Sequence, residues 1–73
     1  MRKIDEIFKP EFIFKRKQFT KELKKEGYEI AGIRWLDGED QVIVDIWDTP
    51  NNPYHDEEDK WMTISIYQPY YGW

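Results

Sequence analysis

One histidine, one serine and no cysteine bound the chemistry open to this 73-residue chain. A serine triad would need Ser65, His55 and an aspartate to converge. Ser65, however, falls in the middle of an alternating apolar segment with no nucleophile-elbow context. The four glycines, Gly27, Gly32, Gly38 and Gly72, are too scattered to build a phosphate-cradling loop. Carboxylates are abundant, yet acid–base catalysis needs a cleft that shifts their pKa values, and a domain this small seldom encloses one. The run His55-Asp56-Glu57-Glu58-Asp59 is the one cluster with metal-ligand chemistry, through oxygen ligands suited to Ca²⁺ or Mg²⁺. It lacks the glycine and the alternating spacing of an EF-hand loop, and consecutive side chains do not converge on one ion. It reads as a solvated acidic loop, so no catalytic residue, metal ligand or cofactor is assigned, and the chain is expected not to be an enzyme.

The side chains that remain to act are aromatic and acidic. Aromatic residues make up 18% of the chain, a content that favours a folded domain over a disordered tail. All four Phe lie in the first 19 residues, whereas all five Tyr and all four Trp lie from Tyr28 onward. Charge divides at the same place. Residues 1–27 carry nine basic and five acidic side chains, a net of +4, while residues 28–73 carry two basic and ten acidic ones, a net of −8. Each part is too short to be a domain, so the change at Gly27 marks a switch of secondary structure within a single domain spanning 1–73.

The first part has helical spacing. Ile4, Ile7 and Phe8 recur at i, i+3 and i+4, which predicts a short opening helix interrupted at Pro10. Good helix formers then run over 11–26, and Gly27 stands where a left-handed C-cap is expected. At 100° per residue Phe12, Phe19 and Leu23 fall within about 40° of one another, with Lys17, Lys21, Lys24 and Lys25 opposite. Ile13 and Phe14 lie off that stripe and are expected to pack against the opening segment.

After Gly27 the period changes to two. Val42, Val44 and Ile46 alternate with Ile43, Asp45 and Trp47 over 41–48, and Met62, Ile64 and Ile66 alternate with Trp61, Thr63, Ser65 and Tyr67 over 61–67. A weaker strand is expected over 28–36, bulged near Gly32, and Asp37-Gly38-Glu39-Asp40 supplies turn chemistry for a hairpin. Residues 49–60 form a long, proline-interrupted, acidic connection, and 68–73 an aromatic tail. The fold class is therefore α+β: helices packed on a three-stranded antiparallel meander, with Ile30 or Ile33 joining the aliphatic faces of strands two and three under Phe12, Phe19 and Leu23.

If the helices cover one face of that sheet, the other carries Ile43, Trp47, Trp61 and Tyr67, with Trp35 or Tyr28 as further candidates. The tail adds Tyr70, Tyr71 and Trp73. Two arrangements follow. Either the tail folds back and paves this face, or the face is open and binds a partner. Tyr and Trp concentrate at interface hot spots, and large exposed apolar patches mark binding sites. Asp37, Glu39 and Asp40 of the hairpin, Asp45 and Asp48 of strand two, and Asp56 to Asp59 would form an acidic rim suited to a basic protein surface.

These features are of the physical type used by small acidic inhibitors, bacterial immunity proteins and phage-encoded anti-defence proteins. A homodimeric structural or accessory protein using the same aromatic face is the alternative. Single-stranded nucleic acid is the weakest of the three readings, because polyanions are held by Lys and Arg, and the basic helix face lies across the domain from the aromatics. The longest apolar run is three residues, too short for a membrane span or a signal-peptide core, and the absence of cysteine excludes a disulfide scaffold. A cytoplasmic protein with no membrane contact is expected. A core this small supplies only about 3–5 kcal/mol, so self-association would be unsurprising.

Overall fold

A computed structural model describes residues 1–39 and 41–67, the last of these through its backbone alone. The described residues form three short helical elements, a longer helix and three strands, in the order α1 (Ile4–Ile7), a 3₁₀ turn (Pro10–Ile13), α2 (Arg16–Glu26), β1 (Glu29–Leu36), a 3₁₀ turn (Asp37–Glu39), β2 (Gln41–Trp47) and β3 (Trp61–Tyr67). The strands form one antiparallel sheet in the order β1-β2-β3. This is the expected α+β meander, and β3 has the bounds that its alternation predicts.

The helical part differs from its expected form at one point. A continuous helix over 11–26 does not occur. The chain makes a 3₁₀ turn at Pro10–Ile13, leaves helical geometry at Lys15 (φ −129°, ψ 55°) and starts again at Arg16. The reason lies in the aromatic core. In one straight helix Phe12 and Phe19 would be separated by about 10 Å along the axis. The break instead brings their ring centroids to 5.4 Å, with Phe8 also 5.4 Å from Phe19 in an edge-to-face contact. Phe14 is the residue displaced by the break. Rather than packing against the opening segment, it is 87% exposed, beside Lys17, Gln18 and Lys21 on the far side of α2.

The other end of α2 follows its sequence signal. Gly27 adopts φ 108°. The Gly27 amide donates to Lys24 and the Tyr28 amide to Leu23, the paired bonds of a Schellman ending. The Arg2 amide and guanidinium bind Glu26 beside this turn and hold its carboxyl below the ordinary range.

The two helices share one face of the sheet, α2 lying beside β1 and α1 beside β3. Between them Ile4, Phe19, Leu23, Val42, Val44 and Ile46 are fully buried, with Ile7, Phe12, Tyr28 and Ile66 almost so. A bulge at Ala31, where Ile30 pairs with Ile46 and Gly32 with Asp45, shifts the phase of β1. Both Ile30 and Ile33 therefore face the helices, and so does Trp35. Trp35 packs against Phe19 at 5.7 Å, with the Arg16 guanidinium 4.8 Å above its ring. Trp35 and Tyr28 are thus core residues and not part of the outer face. The Tyr28 hydroxyl donates to the Arg2 carbonyl at 2.6 Å.

Candidate functional site

The outer face of the sheet is built from the alternate residues of the same strands. Reading across it, Glu29, Trp47 and Trp61 form one row, Gly32, Asp45 and Thr63 the next, then Arg34, Ile43 and Ser65, and finally Leu36, Gln41 and position 67. No described helix packs on this face.

The tryptophan row has specific geometry. The Asp48 amide donates to the Lys60 carbonyl at 2.9 Å, which makes 48/60 a hydrogen-bonded pair of the β2–β3 ladder. Because such pairs alternate, Trp47 and Trp61 are a non-hydrogen-bonded pair, the class in which facing side chains approach most closely. Both rings remain about half exposed, 49% for Trp47 and 53% for Trp61. The two indoles thus form an exposed aromatic platform at one end of the sheet's outer face. The more pronounced hollows of the surface lie elsewhere, along α2 near Phe14 and Lys21 and beside Gly27 and Asn51. An exposed aromatic pair outside those hollows suits a macromolecular surface better than a small molecule, which needs a concave site.

Behind the platform the long connection is pinned by Asp48. Its side chain, 7% exposed, accepts a bond from Asn52 Nδ2 at 2.8 Å through Oδ1, and through Oδ2 it accepts from His55 Nδ1 at 2.8 Å and from the Asp56 amide at 3.4 Å. An ionised carboxylate only accepts, so the imidazole proton sits on Nδ1. Burial pushes the Asp48 carboxyl up, but the bonds from His55, the Asp56 amide and Asn52 outweigh it, and its pKa lies below the ordinary value. Asn52, 4% exposed, turns its Oδ1 to the Tyr54 amide at 2.7 Å, and the Tyr54 hydroxyl accepts from the Ile4 amide at 3.0 Å. The loop that joins the two tryptophans is therefore anchored to the core at both Asp48 and Tyr54.

The expected acidic rim is redistributed. Asp48 is turned inward as the loop anchor and is not a rim carboxylate. Asp45 shares the aromatic face but is engaged, accepting from Thr63 Oγ1 at 2.7 Å and lying 3.5 Å from the Arg34 guanidinium. Asp37 is held by Arg16 at 2.7 Å. Asp37 and Glu39 belong to the β1–β2 turn, at the opposite end of β2 from Trp47 and about 20 Å away at strand spacing. They do not border the tryptophans. Asp56, Glu57, Glu58 and Asp59, in the connection that leads into Trp61, are exposed and without ion pairs among the described residues. Position 67 is at the turn end of the face, while Asp40, Tyr70, Tyr71 and Trp73 lie outside the described residues.

Two features escaped the sequence reading. Arg34 sits on the outer face between the bulge and the turn, and its alternation with Ile33 and Trp35 could have placed it there once the bulge was known. The Asp48–Asn52–His55 cluster has no such signal, since it depends on the loop's path rather than on a period. Among the described residues no group of three or more acidic or histidine side chains is arranged to hold a metal ion, and no helix is long and apolar enough to cross a membrane. No protein-family model, curated protein or solved structure matches the chain, so what it does must be argued from this face and its surroundings.

Proposed function

We propose that this chain is a non-enzymatic, cytoplasmic interaction module that docks a basic protein surface on the Trp47–Trp61 platform. The observation that carries the reading is the platform itself: two half-exposed indoles in register across β2 and β3, joined by an anchored loop whose exposed carboxylates have no ion pair among the described residues. Aromatic anchors of this kind account for most of the binding energy at protein interfaces, and the neighbouring charges raise the association rate and exclude acidic surfaces. Inhibition of an enzyme that itself binds nucleic acid, as in an immunity or phage anti-defence protein, is the concrete form of this role. Nucleic acid itself is disfavoured, because Lys17, Lys21, Lys24 and Lys25 project from the outer side of α2, across both layers from the tryptophans.

The test is affinity capture from cells followed by purified binding with the captured protein. Trp47→Ala and Trp61→Ala should each weaken the complex by tenfold or more, on the order of 1.4 kcal/mol, with unchanged circular dichroism. Reversing Glu57 and Glu58 to lysine should slow association, whereas Phe14→Ala should do neither. A complex indifferent to both tryptophans would end this reading.

A further inference from the structure

The sheet has two edges, and they are built differently. β1 carries a bulge at Ala31, a glycine at position 32 and the charged residues Glu29 and Arg34, all devices that keep an edge from pairing with another strand. β3, Trp61-Met62-Thr63-Ile64-Ser65-Ile66-Tyr67, has no charge, proline, glycine or bulge, and its register with β2 is unbroken over its whole length. The alternation fixed by the 48/60 pair directs the backbone N–H and C=O groups of Trp61, Thr63, Ser65 and position 67 away from β2. Among the described residues nothing hydrogen-bonds to them, and the side chains of Trp61, Thr63 and Ser65 are exposed. A long, straight, uncharged edge left open is a template for another strand.

We infer that the occupant is β3 of a second copy, paired antiparallel about a twofold axis through Ile64 to make a continuous six-stranded sheet. The sequence of the edge is self-complementary in that register. Ile64 meets its own mate, Met62 meets position 66, Thr63 meets Ser65, and Trp61 meets position 67, so aliphatic faces aliphatic, hydroxyl faces hydroxyl and aromatic faces aromatic. The residues whose backbone groups point outward are then the ones that exchange bonds with the other copy, which satisfies the free groups of both edges. No like charges are opposed, since the strand carries none. Residues 68–73 are poorer candidates for the edge, because Pro69 lacks an amide donor. The bulged and charged β1 edges remain outermost, so assembly closes at two copies instead of continuing into a fibre. This inference stands apart from the docking role of the tryptophan platform and leaves that face open on both copies.

Sedimentation of the full chain up to millimolar concentration tests it, together with hydrogen exchange at the β3 amides. The expected result is a mass of two chains, with the Trp61, Thr63 and Ser65 amides protected. Ser65→Pro removes an outward donor without touching the β2 ladder, and Ser65→Lys places a charge on the edge while keeping that donor. Each should raise the dimer dissociation constant at least about tenfold and release the three amides, with circular dichroism unchanged. A single-chain mass with unprotected amides would overturn the inference. So would a single-chain mass with protected amides, which would assign the edge to residues 68–73. A two-chain mass unmoved by either variant would place the contact elsewhere and overturn it equally.

Discussion

Along β2 the same seven residues build two unlike surfaces. Val42, Val44 and Ile46 are sealed under the helices with no accessible area, while Ile43, Asp45 and Trp47, one residue out of step, stand on the side that no described helix covers. The sealed side is aliphatic and phenylalanine-rich, and the open side holds an indole pair and an Arg34–Asp45 ion pair. The contrast separates the residues that close the core from those the proposed docking role would use. In a domain with so small a core, loss of a buried ring is expected to unfold the chain, whereas the half-exposed rings of the open side are expected to matter little for stability.

The sharpest way to break that division is to remove one ring from each side. Phe19→Ala deletes a fully buried ring that touches Phe8, Phe12 and Trp35, and should cost about 3–5 kcal/mol, enough to unfold the domain in thermal melts. Trp47→Ala, the loss of a larger ring from the open side, should cost under about 1 kcal/mol by the same measurement. Comparable losses for the two would show that both sides are core.

A smaller effect is expected at the boundary between the sides, where Asp48 anchors the loop. Its pKa is depressed in the folded protein, so the unfolded chain takes up the proton first as the pH falls. Stability is then retained above the unfolded value near pH 4 and lost progressively below it. Asp48→Asn should flatten part of that acid slope, and Glu26, held low by Arg2, should leave a residual slope. Melting temperatures of the two proteins recorded between pH 2 and 7 check this. Parallel curves would mean that the anchor contributes nothing to the acid response.

How much of this was legible in the residues depended on whether a local period governed them. The alternation of 61–67 delimited β3, Gly27 marked the end of α2, and the pairing of Val42, Val44 and Ile46 against Ile43, Asp45 and Trp47 assigned the two faces correctly. The break at Lys15 was not legible, because helix propensity over 11–26 is uniformly good and only the demand of Phe12 to reach Phe19 overrides it. The face of Trp35 is not legible from alternation alone, because the bulge at Ala31 sets the phase of β1. For the candidate site, the tryptophan pair followed from strand register, but the acidic rim did not. Carboxylates near in sequence to a face can be spent on Arg16, on Arg34 or inward on the loop, and no spacing rule distinguishes those fates.

The bond from the Ile4 amide to the Tyr54 hydroxyl spans 50 residues of chain. It joins the packing of α1 beside β3 as a contact between the two ends of the described chain, whereas the strands pair with their neighbours in sequence order. In kinetic terms the Ile4–Tyr54 tie closes a longer loop than the pairing of neighbouring strands does, and that loop-closure entropy is best met after the meander has formed. It is then a late contact, absent from the folding transition state. Tyr54→Phe should accordingly leave the refolding rate near that of the parent and accelerate unfolding, the pattern of a low-φ position in stopped-flow measurements. A matching fall in the refolding rate would instead make the N-terminal segment part of the folding nucleus. On that expectation the connection between the two tryptophans is a latch closed last, and its lifetime would set how long the end of the sheet that carries them keeps its shape.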